Sequence, residues 1–266
     1  MQHFSKNHQA KSRSVNRKRH SPTKEKGIDG LGVDIHCLME RDIRSDMFRN
    51  ATRFVDYEMI QGDIFEFGVY TGRSLALLAY YHELNKRDIH RLNFTRRVVG
   101  LDSFEGLPGS DGHPRWKTGL FKTNHSFHPI CKDGEAVCPE TVCTLFGKYK
   151  LPLPMIEVGR FETTLEALIP DKYSSAAIVH VDCDLYRSTK TVLTKMHEIF
   201  QEGTLLLFDD WFNFRGRVDK GEQKAFWEYQ KAQAKWSFVE YQNYATFGKP
   251  FITNFKRRTA RRKMVM

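Results

Sequence analysis

Residues 63–74 have the sequence DIFEFGVYTGRS, in which a short, mostly apolar run leads into two glycines. An apolar run of this length with a glycine near its end is typical of a buried β-strand. The residues that follow, 74–81, have the sequence SLALLAYY and predict a helix. Residues 63–81 therefore predict a strand, a glycine turn and a helix, the repeating unit of α/β folds.

Strands and helices alternate along the rest of the chain. Further strands are predicted at 97–102, 155–159, 176–182 and 203–210, followed by an antiparallel pair at 236–241 and 245–252. Helices are predicted at 43–60, 140–148, 163–168, 188–200 and 220–233. Apolar strands that alternate with helices form parallel sheets with helices on both faces. The sequence thus predicts a Rossmann-like α/β fold with a mostly parallel seven-stranded sheet, in which ligands bind at the carboxyl ends of the strands.

The net charge of +10 is concentrated at the two ends of the chain. Residues 1–26 contain eight Lys or Arg and one acid, and residues 256–266 contain six Lys or Arg and no acid. The remaining residues, 27–255, carry a net charge of −3. We therefore predict a disordered basic tail (1–26), one folded domain (27–255) and a basic C-terminal tail (256–266). An acidic folded domain makes nucleic acid an unfavoured partner. A nucleic-acid arm or a transit peptide stays open for residues 1–26.

Several protein classes are disfavoured by composition. No apolar run approaches the roughly 18 residues needed to span a bilayer, and no apolar segment of a secretory signal follows the basic N-terminus. Cysteine occurs at five scattered positions without C-x-x-C spacing: Cys37, Cys131, Cys138, Cys143 and Cys183. This pattern predicts reduced thiols in a cytoplasmic protein with no membrane partner.

The first glycine turn and the end of the second strand are candidate ligand-binding positions. Gly68 and Gly72 have G-x-x-x-G spacing, which matches neither the dinucleotide fingerprint nor the P-loop. The two glycines allow close approach of a ligand, and Ser74 would offer its hydroxyl at the start of the following helix. Asp102 ends the second strand, where an acidic residue can accept hydrogen bonds from ribose hydroxyls. The alternative is that Asp102 is a surface loop residue.

Four carboxylates follow two predicted neighbouring strands. They belong to Asp182, Asp184, Asp209 and Asp210. Carboxylates brought together at one sheet edge repel each other unless a cation lies between them. Oxygen donors favour a hard divalent ion such as Mg²⁺ over zinc. The sequence therefore predicts a cation site, with independent loop aspartates as the alternative.

The long segment 109–138 has no clear periodicity and follows the second strand. Loops of this length are more often covers or binding loops than simple connectors. Its aromatic and histidine side chains are candidate substrate contacts, with anchoring of the loop as the alternative: His113, Trp116, Phe121, His125, Phe127 and His128. Residues 211–214 (WFNF) follow the last two aspartates and are a second candidate wall of an acceptor pocket.

Five motifs together resemble the macrocin O-methyltransferase family over about residues 45–250. They are EFGVYTG (66–72), LDSFEGLP (101–108), GRF (159–161), DCDLYRST (182–189) and DDW (209–211). Members of that family are class I enzymes that use S-adenosylmethionine and a divalent metal to methylate hydroxyls, often of sugars on natural products. The resemblance implies a class I methyltransferase sheet and an S-adenosylmethionine-dependent O-methyltransferase with a small hydroxylated acceptor.

The resemblance also implies roles for individual residues. The expected contacts of S-adenosylmethionine are Gly68, Tyr70, Gly72 and Ser74 at its methionine end, Asp102 and Ser103 at the ribose, Phe161 near adenine, and Asp182 beside the metal, with Glu66 bracing the turn. The expected ligands of Mg²⁺ are Asp182, Asp209 and Asp210. Asp182 or Asp184 would be the general base. A lysine base, as in the similar catechol O-methyltransferase, is not supported because Leu185 stands at that position.

Three matters stay open at this level. The acceptor cannot be read from the sequence, and the resemblance allows a homodimer without requiring one. Two alternatives to a small-molecule methyltransferase are an RNA-modifying methyltransferase that uses the basic tails and a non-enzymatic protein that binds S-adenosylmethionine.

Overall fold

The structure, a computed structural model, describes residues 35–89 and 96–256. The predicted basic tail 1–26 and residues 257–266 of the second tail lie outside the described residues. The division into one folded domain and two tails therefore stays a prediction.

Seven helices and seven strands alternate in the described part of the chain. The helices are α1 (Ile35–Arg41), α2 (Ser45–Tyr57), α3 (Arg73–Asp88), α4 (Pro139–Lys148), α5 (Phe161–Leu168), α6 (Tyr186–Met196) and α7 (Gly221–Ala232). The strands are β1 (Asp63–Phe67), β2 (Val98–Asp102), β3 (Met155–Val158), β4 (Ala176–Val181), β5 (Leu205–Phe208), β6 (Trp236–Glu240) and β7 (Lys249–Phe255). Every predicted strand and helix is present, and the bounds agree within about four residues except at α3, which ends seven residues beyond the predicted end at residue 81. Helix α1 was not predicted.

The strands form one sheet in the order β3-β2-β1-β4-β5-β7-β6. Strands β1 to β5 are parallel, and β7 is inserted antiparallel between β5 and β6. This arrangement confirms the mostly parallel seven-stranded sheet. The chain runs outward from β1 to β3 and then returns to place β4 beside β1. Such a reversal leaves a crevice at the carboxyl ends of the strands.

Both faces of the sheet are covered, because successive side chains of a strand point to opposite faces. Ile64 of β1 packs with α1 to α4 on one face, whereas Phe65 and Phe67 pack with α5 to α7 on the other. Full burial of a phenylalanine contributes about 2 kcal/mol to stability. The same alternation sends Glu66 to the face of Ile64, beneath α2.

The structure also bears on two compositional inferences. None of the described helices is long and apolar enough to cross a membrane. All five cysteines carry free thiols, as the scattered spacing predicts.

Candidate active site

A cavity of about 870 Å³ opens at the carboxyl ends of β1, β2, β4 and β5. It brings together most of the residues expected at a site from the sequence: Gly68, Tyr70, Ser74, Asp102, Ser103, Phe161, Asp182, Asp184, Asp209 and Asp210. Glu66 and Gly72 are not among the lining residues. The sheet topology therefore produces the convergence that the strand-end positions predict.

The glycine turn between β1 and α3 passes very close to the end of β4. Gly68 has φ +91°, and a Cβ atom there would lie 1.8 Å from the backbone oxygen of Asp182. Gly72 has φ +80° and immediately precedes α3. Only glycine combines this backbone conformation with this close approach at low cost. The turn can therefore present its backbone to a ligand in the cavity, which Gly68 and Thr71 line.

Asp102 holds the glycine turn in place. Its Oδ2 accepts hydrogen bonds from the backbone N–H groups of Val69 at 2.8 Å and Tyr70 at 3.0 Å. Its Oδ1 accepts from the N–H of Phe104 at 2.8 Å. The carboxylate also lines the cavity. Asp102 thus has a structural task that the sequence-based expectation of a ribose contact did not include.

Glu66 occupies a different place from the one expected. It pairs in register with His180 of β4, and Oε2 of Glu66 lies 2.9 Å from Nδ1 of His180. Both side chains are fully buried. The pleat of β1 sends Glu66 to the same face as Ile64, away from the turn that it was expected to brace.

His180 links Glu66 to the carboxylates at the strand ends. Its Nε2 lies 3.7 Å from Oδ1 of Asp209. Burial alone would lower the pKa of His180, but the neighbouring Asp209 and Glu66 raise it to about 10. His180 therefore supplies positive charge beneath the carboxylate cluster, a role with no signal in its apolar strand context.

Arg44, at the start of α2, lies against the same cluster. Its Nη1 donates to Oδ2 of Asp182 at 2.7 Å and to Oδ2 of Asp209 at 3.1 Å. Asp42 fixes the other side of the guanidinium, accepting from Nε and Nη2 at 2.9 Å each. Arg44 is not among the site residues predicted from the sequence. The available signal was a charged Asp-x-Arg pair directly before an amphipathic helix.

The four strand-end carboxylates have divergent proton affinities. Burial would raise the pKa of Asp209, but Arg44 and His180 outweigh it and lower the pKa to about 2. Burial and the charge of Asp182 raise the pKa of Asp184 to about 8. Burial and neighbouring carboxylates also raise the pKa of Asp182 and of Asp210. The cluster is therefore short of positive charge.

The donor set fits a divalent cation. Ligand atoms of His180, Asp182 and Asp209 lie within 4.8 Å of one another. Two buried carboxylate oxygens have no hydrogen-bond partner in the described chain, Oδ1 of Asp209 and Oδ2 of Asp210. Oxygen donors that lack partners in a buried site are suited to Mg²⁺ or Mn²⁺. This compact donor group of His180, Asp182 and Asp209 differs at one position from the predicted ligands, which include Asp210 in place of His180.

The segment 109–138 lies against the glycine turn. The Tyr70 hydroxyl donates to the backbone oxygen of Thr123 at 3.0 Å and accepts from the N–H of His125 at 2.6 Å. Among the aromatic and histidine side chains of the segment, Phe121 lines the cavity. Trp116 is buried in a small apolar cluster with Leu107 and Leu185. Trp116 therefore anchors the segment to the domain, the alternative to a substrate contact. We call residues 109–138 the cover segment.

The second expected acceptor wall was wrong. Trp211 is buried in the core and packs against Phe226 and Phe251, and none of residues 211–214 lines the cavity. The chain turns Trp211 into the core directly after Asp210, whereas Phe214 packs beneath the cover segment against the cluster of Leu107, Trp116 and Leu185. Arg187 and Ser188, at the start of α6, line the cavity instead.

Comparisons with known proteins agree with this geometry. The sequence profile of the Macrocin-O-methyltransferase (TylF) family matches residues 1–237. No curated protein sequence matches the chain significantly. The O-methyltransferase NovP has a similar structure, with 23% identity, a TM-score of 0.56 and coverage of 79% of this chain and 78% of NovP.

Two further solved structures share the fold. CalS11, a calicheamicin methyltransferase, is 19% identical with a TM-score of 0.52, covering 82% of this chain and 80% of CalS11. TomG from Streptomyces achromogenes, involved in tomaymycin synthesis and solved in complex with S-adenosylmethionine, is 13% identical with a TM-score of 0.52. That match covers 84% of this chain and 92% of TomG.

The structural similarity confirms the predicted fold class, and the profile match extends over most of the sequence. The resemblance that the five motifs indicate is thereby confirmed at the level of the family. The chain belongs to the macrocin-O-methyltransferase (TylF) family of S-adenosylmethionine-dependent O-methyltransferases.

Proposed function

We propose that the protein transfers the methyl group of S-adenosylmethionine to a hydroxyl of a small, sugar-bearing acceptor, assisted by a divalent cation. One observation carries this proposal: the glycine turn and the carboxylates of Asp182, Asp184, Asp209 and Asp210 line a single cavity. A methyl donor held at the turn would therefore lie beside the groups that could activate a hydroxyl.

The proposed cofactor positions follow the order of the strands. Gly68, Tyr70 and Ser74 would contact the methionine end, with Gly72 shaping the turn. Asp102 and Ser103 would contact the ribose, and Phe161 would lie near adenine. Each carboxylate oxygen can accept more than one hydrogen bond, so the contacts of Asp102 with the turn do not prevent a contact with the ribose. The cavity volume is near the upper end of small-molecule sites, consistent with room for donor and acceptor together.

Asp182, Asp209 and Asp210 are the proposed cation ligands, and the positively charged His180 lies beside them as a counter-charge. Support comes from the unpartnered oxygens of Asp209 and Asp210. A bound divalent cation would lower the pKa of the acceptor hydroxyl and fix its oxygen. The proposed contribution of the protein is to hold these carboxylates on the ends of two rigid parallel strands.

Asp184 is our proposed general base. It is buried at the cavity wall, and its side chain is not engaged by Arg44. Asp182, the alternative, accepts a hydrogen bond from Arg44. The pKa of Asp184 near 8 suits a group that takes up a proton close to neutral pH, and a nearby cation would favour its carboxylate form. The acceptor oxygen would then form a bond to the methyl carbon while the carbon–sulfur bond breaks, and Asp184 would take the hydroxyl proton.

We propose the acceptor class from the family, which is named after the methylation of macrocin. CalS11, one of the structural neighbours, is described as a TDP-rhamnose 3′-O-methyltransferase. A hydroxyl on a sugar attached to a larger molecule is the corresponding proposal for this chain.

Calorimetric titration with S-adenosylhomocysteine, with and without Mg²⁺, is the primary test. We expect binding in both conditions. Methyl transfer from S-adenosylmethionine to a panel of sugar-bearing acceptors, followed by mass spectrometry, should then depend on Mg²⁺. Failure to bind S-adenosylhomocysteine under either condition would refute the proposal.

A further inference from the structure

Arg44 holds the two carboxylates that the proposed cation would need. Its Nη1 bridges Oδ2 of Asp182 and Oδ2 of Asp209, at 2.7 and 3.1 Å. These two residues also supply oxygens to the compact donor group. We infer that Arg44 and a divalent cation compete for Asp182 and Asp209, so that the guanidinium is a built-in counter-ion that a metal must displace. This inference rests on the cation role proposed above.

The contact between Arg44 and the strand-end carboxylates can break and re-form while the contact between Arg44 and Asp42 persists. Two of its nitrogens, Nε and Nη2, bind Asp42, and only Nη1 reaches the strand-end carboxylates. The Asp42 carboxylate is almost completely buried and also accepts from the backbone N–H of Arg44. When the carboxylates of Asp182 and Asp209 turn from Nη1 toward a cation, the guanidinium keeps its bidentate contact with Asp42. A charged group that retains a bidentate partner avoids most of the cost of burial without a partner.

Bracing of the metal ligands is the rival role for Arg44, and it predicts the opposite effect of removing the side chain. A brace would orient Asp182 and Asp209, so its loss would weaken cation binding. Charge favours competition, because a guanidinium bonded to a ligand carboxylate repels a dication bound to the same group. Removing Arg44 also takes a positive charge away from two half-buried carboxylates, which increases their affinity for an external cation.

The counter-ion explains how the cluster is kept folded before a metal binds. Two adjacent half-buried carboxylates without compensation would repel each other and favour local opening. Arg44 above and His180 below offset this repulsion. The same compensation also opposes cation binding, because a cation must displace Nη1 of Arg44 from the two carboxylates. The cation affinity of the protein is therefore expected to be lower than its set of oxygen donors would otherwise give.

Mn²⁺ binding to the full chain, measured by electron paramagnetic resonance and by calorimetry, tests the inference. We expect Arg44→Gln to bind Mn²⁺ at least about tenfold more tightly than the unmodified protein. Arg44→Lys keeps the positive charge and should stay closer to the unmodified protein. Arg49→Gln removes one charge from the same helix at an exposed position paired with Asp46, and should leave the affinity unchanged.

Thermal unfolding gives a second readout that does not involve activity. Without metal, Arg44→Gln should unfold at a lower temperature than the unmodified protein. Addition of Mn²⁺ should raise the unfolding temperature of Arg44→Gln by more than it raises that of the unmodified protein. Unchanged or weaker Mn²⁺ binding by folded Arg44→Gln would overturn the competition while leaving the proposed function intact. No Mn²⁺ binding by any variant, with S-adenosylhomocysteine still bound, would overturn the cation role and this inference together.

Discussion

Glu66 and His180 form a fully buried pair, with Oε2 of Glu66 2.9 Å from Nδ1 of His180. The two residues are direct neighbours on the parallel strands β1 and β4. The other ring nitrogen of His180 faces Asp209 at 3.7 Å. This pair supports the carboxylate cluster from inside the sheet, although neither side chain lines the cavity.

Glu66→Gln should lower the free energy of unfolding by about 3 kcal/mol, because it removes the buried carboxylate that pairs with Nδ1 of His180. Affinity for S-adenosylhomocysteine should change little, since Glu66 lies outside the cavity wall. Urea unfolding and calorimetric titration measure the two quantities. Glu105→Gln is the matched control: Glu105 pairs with Arg160 at the surface, and its loss should cost less than about 1 kcal/mol. A large loss of affinity with unchanged stability would instead restore the role in cofactor binding that the sequence suggests.

Gly68→Ala should destabilise the protein by at least about 2 kcal/mol, because the new Cβ would collide with the backbone of Asp182 and the residue would keep φ +91°. Thermal unfolding measures the loss. Gly109→Ala is the control, since a Cβ there meets nothing within 4 Å and φ is not positive. Equal stability of the two variants would show that the strand ends can separate without cost.

The residues at the strand ends could be predicted from the sequence because a local pattern marks each strand end. Asp102, Asp182 and Asp209 each follow an apolar run, and parallel topology places such ends at one edge. The order of the strands beyond β5 was not predictable, because β7 enters the sheet between β5 and β6 through pairing that no local pattern encodes.

The contacts that complete the site come from distant parts of the chain. Arg44 reaches Asp182 across 138 positions, and the contact depends on how the α1–α2 connection is placed over the sheet edge. The direction of Glu66 depends on the phase of the β1 pleat. Trp211 was assigned to the cavity from its position after two aspartates, but burial among Phe226 and Phe251 determines its direction.

Tyr70→Phe should loosen the cover segment while leaving the turn intact. The lost hydroxyl donates to Thr123 and accepts from the N–H of His125, so both tethers disappear with one oxygen atom. Hydrogen exchange of backbone amides near residues 123–126 should accelerate, and the KM for the acceptor should rise. Tyr57→Phe alters an exposed hydroxyl on α2 and should leave both unchanged. Exchange rates that match those of the unmodified protein would show that other contacts hold the segment.

Asp184→Asn should reduce the rate of methyl transfer by about 10²-fold or more, because the amide cannot take up the hydroxyl proton. Affinities for S-adenosylhomocysteine and Mn²⁺ should stay close to those of the unmodified protein. Initial rates at saturating substrate, together with calorimetry, separate these effects. If Asp182→Asn lost catalysis without losing Mn²⁺ affinity, and Asp184→Asn retained activity, the base would be Asp182.

Asp56 gives the described fold a predictable acid sensitivity. Its Oδ1 accepts from Nε of Arg96 at 2.8 Å, and its Oδ2 lies 3.0 Å from Nδ1 of His82 and from Nδ2 of Asn85. Burial would raise the pKa of Asp56, but His82 and Arg96 outweigh burial and lower it. A carboxylate with a depressed folded pKa stabilises the protein above its unfolded pKa, about 3.9, and this contribution is lost as the pH falls further.

Asp56→Asn should therefore cost about 3 kcal/mol of unfolding free energy at pH 7, since it removes the carboxylate that pairs with the buried Arg96. The difference from the unmodified protein should shrink as the pH falls below about 4, where Asp56 itself becomes protonated. Urea unfolding across this range measures both. Asp46→Asn, which alters an exposed pair with Arg49 on α2, should cost little at every pH. If the difference in unfolding free energy between Asp56→Asn and the unmodified protein did not shrink at low pH, the asparagine side chain would be disturbing the packing. The charge of Asp56 would then contribute little.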